Sequence, residues 1–106
     1  MKFIAKKQDI LPALEKAAKV AKRSNMPILQ NVLIKVNSDV EITASDLQIS
    51  LSRSVSAEVT NTEETVVNAE KLYRIVKEMP EEVIFSTREN ILEIFSDNVY
   101  GWRLSG

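Results

Sequence analysis

The sequence predicts an α+β fold in which a βαβββ unit is written twice and both helices pack on one side of antiparallel sheets. Three observations carry that expectation. Apolar residues recur at every second position over most of the chain, the period of a strand with one buried face. Only two segments, about residues 9–23 and 69–79, switch to a helical period. The order strand, helix, three strands runs from about 1 to 60 and again from about 61 to 106.

Lys2 to Lys6 alternates and reads as the opening strand. The helix after it is expected from about Asp9 to Arg23, with Asp9 as its cap and Pro12 in its first turn, where a missing N–H costs little. Ile10, Leu11, Leu14, Ala17, Ala18 and Ala21 form its apolar stripe, and the alanines imply close approach to the layer beneath. Pro27 leads into a strand in which Val32, Ile34 and Val36 alternate. After a turn at Ser38-Asp39, Val40, Ile42 and Ala44 continue the pattern to a polar corner at Asp46. From Leu47 to Val59 every odd residue except Arg53 is apolar, which predicts one strand with a wet face.

The second unit starts after the polar turn Asn61-Thr62-Glu63-Glu64. A short strand, Thr65-Val66-Val67, enters a helix from about Ala69 to Met79, with Asn68 as its cap and Pro80 as its stop. Leu72, Ile75, Val76 and Met79 mark its buried face. Strands are expected at Val83–Thr87, Ile91–Ser96 and Val99–Leu104, with turns at Arg88-Glu89-Asn90 and Asp97-Asn98.

At 106 residues, 44 % apolar and 27 % charged, the chain reads as one soluble domain with one core. No apolar run approaches the roughly 20 residues of a membrane span, and the start is too quickly recharged for a signal peptide. The absence of cysteine removes disulfide and thiol chemistry and fits a cytoplasmic protein. Without histidine as well, the usual nucleophile–base pairs and soft metal sites are excluded. Glycine occurs only at 101 and 106, so there is no phosphate-cradling loop or dinucleotide fingerprint. Glu63-Glu64 and Glu81-Glu82 fall in predicted turns, where carboxylates are ordinarily just solvated. Asp46 reads as an acceptor of backbone N–H groups at its corner. No catalytic residue and no cofactor is expected.

The formal net charge of −1 hides an asymmetry: residues 1–35 sum to +6 and residues 36–106 to −7. Opposite the apolar stripe the first helix carries Glu15, Lys16, Lys19, Lys22 and Arg23; the second carries Glu70, Lys71, Arg74, Lys77 and Glu78. Such rows suit phosphate contact and lack the groups that read bases. The plainer alternative is a pair of solvated helix faces. In the last strand Tyr100, Trp102 and Leu104 share one face and Arg103 the other. Core and interface are both open readings of that face.

The ordered set Pro27-Ile28-Leu29-Gln30-Asn31, Thr43-Ala44-Ser45-Asp46-Leu47 and Ala69 with Lys71-Leu72 resembles the first domain of the bacterial DNA sliding clamps, the β subunits of DNA polymerase III. The opening Met1-Lys2-Phe3 and the closing Leu104-Ser105 fit as well, so the resemblance runs end to end. It implies a duplicated clamp-type domain within a ring that encircles duplex DNA and gives the replicative polymerase processivity, without catalysis. It implies that the two helices line the channel, making Lys16, Lys19, Lys22, Arg23, Lys71, Arg74 and Lys77 the DNA-facing set. Arg23, or Lys22, matches a basic position at the end of the family's first helix, and Lys77 one late in the second. Glu70 departs from the pattern, standing where some members carry arginine. Positions matching Trp102 and Leu104 contact the partner protomer's third domain in the ring, with Lys71 nearby, so these three form the expected subunit interface. The implied partners are duplex DNA, held weakly through phosphates, and for the full-length protein a second protomer, the polymerase and the clamp loader.

Full members of that family have three such domains, so a chain ending at Leu104-Ser105-Gly106 is expected to be the first of three, without the pocket for clamp-binding peptides. The rival from another class is a free-standing interaction or adaptor domain that uses the same fold without a ring. A small carboxylate enzyme is a weaker rival, since catalysis needs a concave site around a perturbed acid.

Overall fold

A computed structural model of the chain describes residues 1–23, 26, 30–45, 50–55, 57–61, 63–89, 91–96 and 99–105. In order they form β1 (Lys2–Lys6), α1 (Lys7–Lys22), β2 (Asn31–Val36), β3 (Val40–Ser45), β4 (Ser50–Val55), β5 (Glu58–Asn61), β6 (Glu63–Asn68), α2 (Ala69–Lys77), β7 (Glu82–Arg88), β8 (Ile91–Ser96) and β9 (Val99–Ser105). The strands make two antiparallel sheets, one ordered β5-β1-β7-β8-β9 and the other β4-β3-β2-β6. The opening strand of each unit therefore sits in the sheet of the other. β1 pairs with β7, placing Phe3 opposite Phe85, and β6 pairs with β2, placing Val67 opposite Val32.

Alternation decides which face of each strand is buried. Val32, Ile34 and Val36 from β2, Val40 and Ile42 from β3, and Val83 and Phe85 from β7 are inaccessible to solvent, as are Leu92 and Ile94 from β8. Ile10, Leu14 and Ala17 from α1 and Leu72 and Val76 from α2 close the same core from the helix side. Phe3 and Phe85 stack with ring centroids 4.5 Å apart, at the exchanged strand pair.

Polar contacts fasten the ends. Asn68 caps α2, its side-chain oxygen accepting from the Lys71 N–H at 2.9 Å, as its position before the helical period predicts. The Lys7 ammonium donates to the carbonyls of Lys77 and Met79 at 2.7 and 3.0 Å. It satisfies acceptors that the end of α2 leaves open and sets a cation at the negative end of the helix dipole. The terminal amino group of Met1 donates to the Glu63 carboxylate and to the Thr87 hydroxyl, joining the start of β6 to β1 and β7. That ammonium first, and the Thr87 hydroxyl second, hold the Glu63 carboxyl below the ordinary carboxylate range.

Several sequence expectations need correction. Helix α1 starts at Lys7, two residues before Asp9; Lys6 is the extended N-cap and makes no side-chain capping bond. The chain passes from β1 into the helix without a linker, and the Lys7 N–H is taken by the Glu81 carbonyl at 2.7 Å. Asp9 thus falls inside the first turn, where its charge favours the dipole rather than capping the helix. Pro12 moves to the second turn, on the exposed side, where water can replace the backbone bond it deletes. Helix α2 ends at Lys77 rather than Met79.

The largest correction concerns Leu47 to Val59. Its described residues form two strands, β4 pairing with β3 and β5 with β1, so the segment crosses from one sheet to the other. Val55 of β4 is buried in the core and Val59 of β5 packs against the same core, so one apolar–polar period runs through both pieces, and periodicity cannot register a change of partner. Glu63 and Glu64 belong to β6 and not to a turn, and Glu82 opens β7. The Asp46 corner, the Pro27-Ile28-Leu29 stretch, Asn90 and Asp97-Asn98 lie outside the described residues.

Candidate nucleic-acid interface and assembly edge

Helices α1 and α2 pack against each other and bury their apolar stripes on the sheets, which leaves their polar faces outward. Lys16, Lys19, Lys22 and Arg23 on α1 and its C-cap are exposed, and so are Lys71, Arg74 and Lys77 on α2. Steps of three or four residues bring successive members of each row to the same helix side. The seven residues expected to face DNA are therefore accessible together on the helix layer.

The rows are not purely cationic. Glu15 pairs with Lys19 at 3.4 Å and Glu70 with Arg74 at 2.8 Å, each one turn apart. The Tyr73 hydroxyl donates across the helix pair to Glu15 at 3.5 Å, and the Lys77 ammonium lies 5.9 Å from the centre of the Tyr73 ring. Lys16, Lys22 and Lys71 take part in no ion pair among the described residues. The i,i+4 acid–base spacings were legible in the sequence. The Tyr73–Glu15 contact was not, because it exists only once the helices dock.

Strand β9 closes one end of the five-stranded sheet, so among the described residues its outer backbone edge has no neighbour within that sheet. Trp102 is opposite Ile94 and Leu104 opposite Leu92, both on the core side. Their surroundings differ. Leu104 is partly buried against the core, whereas Trp102 is 50 % exposed. With Arg74, Ile75, Lys77 and Glu78 it lines a cleft of about 360 Å³. Arg103, on the opposite face, reaches Glu93 at 3.7 Å. The Tyr100 side chain lies outside what is described. Lys71 is exposed on α2 but is not among the residues lining that cleft.

The family model for the DNA polymerase III beta subunit, N-terminal domain, matches residues 1–104. The chain belongs to this family. Its fold matches the DNA polymerase III subunit beta from Pseudomonas aeruginosa with a TM-score of 0.90 at 28 % identity, over 99 % of this chain and 30 % of that one. The Caulobacter crescentus pol III beta gives 0.89 at 25 % identity, over 99 % and 29 %. The beta subunit from DNA polymerase of Streptococcus pyogenes gives 0.90 at 20 % identity, over 100 % and 30 %, a likeness of fold alone. The chain thus spans about 30 % of the length of these beta subunits. A search of curated proteins returned no match. Among the described residues no helix is long and apolar enough to cross a membrane.

Proposed function

We infer that this chain supplies the DNA-facing helices and one closing edge of a sliding clamp, a non-catalytic ring that tethers the replicative polymerase to duplex DNA in the cytoplasm. One observation carries the reading: seven Lys and Arg side chains stand exposed on a paired-helix layer that offers phosphates a cationic surface. A ring that slides over any sequence needs phosphate attraction without base readout. The β9 edge and Trp102 supply the second half of the reading. A strand edge unpaired among the described residues and bearing an exposed indole, with Ile75 in the cleft beside it, suits addition of a strand from a neighbouring protomer. The remaining domains, the partner protomer, the polymerase and the clamp loader follow from family membership as part of this proposal.

Fluorescence anisotropy with a labelled duplex tests the first half. About three simultaneous phosphate contacts should give log K falling with log salt at a slope near −2.7, with a Kd of about 10⁻⁴ M or weaker at physiological salt and equal affinity for unrelated sequences. Tight, sequence-selective binding would contradict a sliding surface.

Trp102→Ala tests the second half. Because the indole is half exposed, the variant should stay folded and lose less than about 1 kcal/mol in denaturant melts, well short of the roughly 3–5 kcal/mol of a core truncation. Self-association at high concentration, followed by light scattering, should weaken. An unfolded variant beside a monomeric wild type would return Trp102 to the core.

A further inference from the structure

The cationic helix layer carries its own competitors for phosphate. Lys19 is engaged by Glu15 and Arg74 by Glu70, so two of the seven basic groups already face a carboxylate on their own helix. Glu15 has a second tie to the opposite helix through the Tyr73 hydroxyl, and Tyr73 in turn lies beneath Lys77. Glu15, Glu70 and Tyr73 line one cleft between the helices together with Lys19 and Lys22. A phosphate approaching that cleft meets Lys19, which must first leave Glu15, and it meets the repulsion of the two carboxylates well within a Debye length.

We propose that Glu15 and Glu70 are positioning residues that keep the attraction for duplex weak, so that phosphate contacts on the helix layer exchange instead of fixing the DNA in place. Each carboxylate gives its lysine or arginine an intramolecular partner to return to when a phosphate moves on. Glu15 acts on both helices, because it accepts from Lys19 on α1 and Tyr73 on α2. The proposal rests on the DNA-facing reading given above.

The test is Glu15→Gln combined with Glu70→Gln in the 106-residue chain, titrated against the same labelled duplex over a range of salt. Each substitution keeps the side chain's size and removes only its charge. Freed Lys19 and Arg74 should each add about one phosphate contact, raising affinity about fivefold per site at physiological salt and steepening the salt slope by about 0.9 per site. Glu41→Gln makes the same change in net charge on an exposed residue of β3, whose neighbours Val40 and Ile42 are buried on the other strand face. It should leave the slope unchanged. An unchanged double variant, or a Glu41→Gln effect as large per charge, would overturn the positioning role. Lys19→Glu with Lys22→Glu separates the two levels. If that variant loses binding while the glutamine variants behave as wild type, only the positioning role fails. If it binds as well as wild type, the DNA-facing reading fails and the positioning role with it.

Discussion

Phe85→Ala should lower the unfolding free energy by about 3–5 kcal/mol, the cost of removing a large ring from a close-packed core. Phe85 is inaccessible to solvent and stacks on Phe3. A domain of this size holds about 5–15 kcal/mol in total, so the variant would be marginal at 25 °C. Phe3→Ala should cost a similar amount. The informative quantity is the double variant. Phe3 belongs to the first strand and Phe85 to the seventh, paired across the two repeats, so their rings couple the ends of the exchange. Stacked aromatic pairs contribute about 0.5–1.5 kcal/mol beyond their burial, and the double variant should lose that much less than the sum of the singles. Urea melts of the four proteins measure it. Single costs below about 1 kcal/mol would mean that β1 does not anchor the five-stranded sheet.

Lys19→Glu combined with Lys22→Glu should remove duplex binding below detection. Lys22, a cation free to meet a phosphate and worth about fivefold in affinity at physiological salt, is lost together with Lys19, and two repulsive charges replace them. Stability should change little, since both side chains are exposed. A carboxylate at position 19 would face Glu15 one turn away, a like-charge pair costing about 0.2–0.5 kcal/mol. Anisotropy titrations and thermal melts on one preparation separate these effects. A large fall in melting temperature would mean that the α1 basic row is buried against something the helix layer needs.

The positions of the helices and most strands could be read in the sequence because each element carries its own period. Ile10, Leu14, Ala17 and Ala21 repeat at helical spacing, and Val32, Ile34 and Val36 at every second residue, whatever the chain packs against. Asn68 was legible as a cap because capping is local, set by one side chain and an N–H three residues on. Asp9 was misplaced for the same reason: several polar residues precede the stripe, and only the direct passage from β1, with Lys7 bound at the end of α2, selects the true start. The exposure of the basic rows followed from the stripes opposite them.

The sequence by itself thus determined the two helices, most of the strands with their buried faces, the basic helix layer and the resemblance that family membership bears out. Tertiary structure alone decided which strand pairs with which. The exchange of β1 and β6 between sheets, the crossing from β4 to β5, the half-exposed Trp102 at the β9 edge and the Glu15–Tyr73 contact all join residues far apart in the chain. Periodicity reports that a side chain is buried and not what buries it, so contacts of that kind appear only when the whole chain has folded.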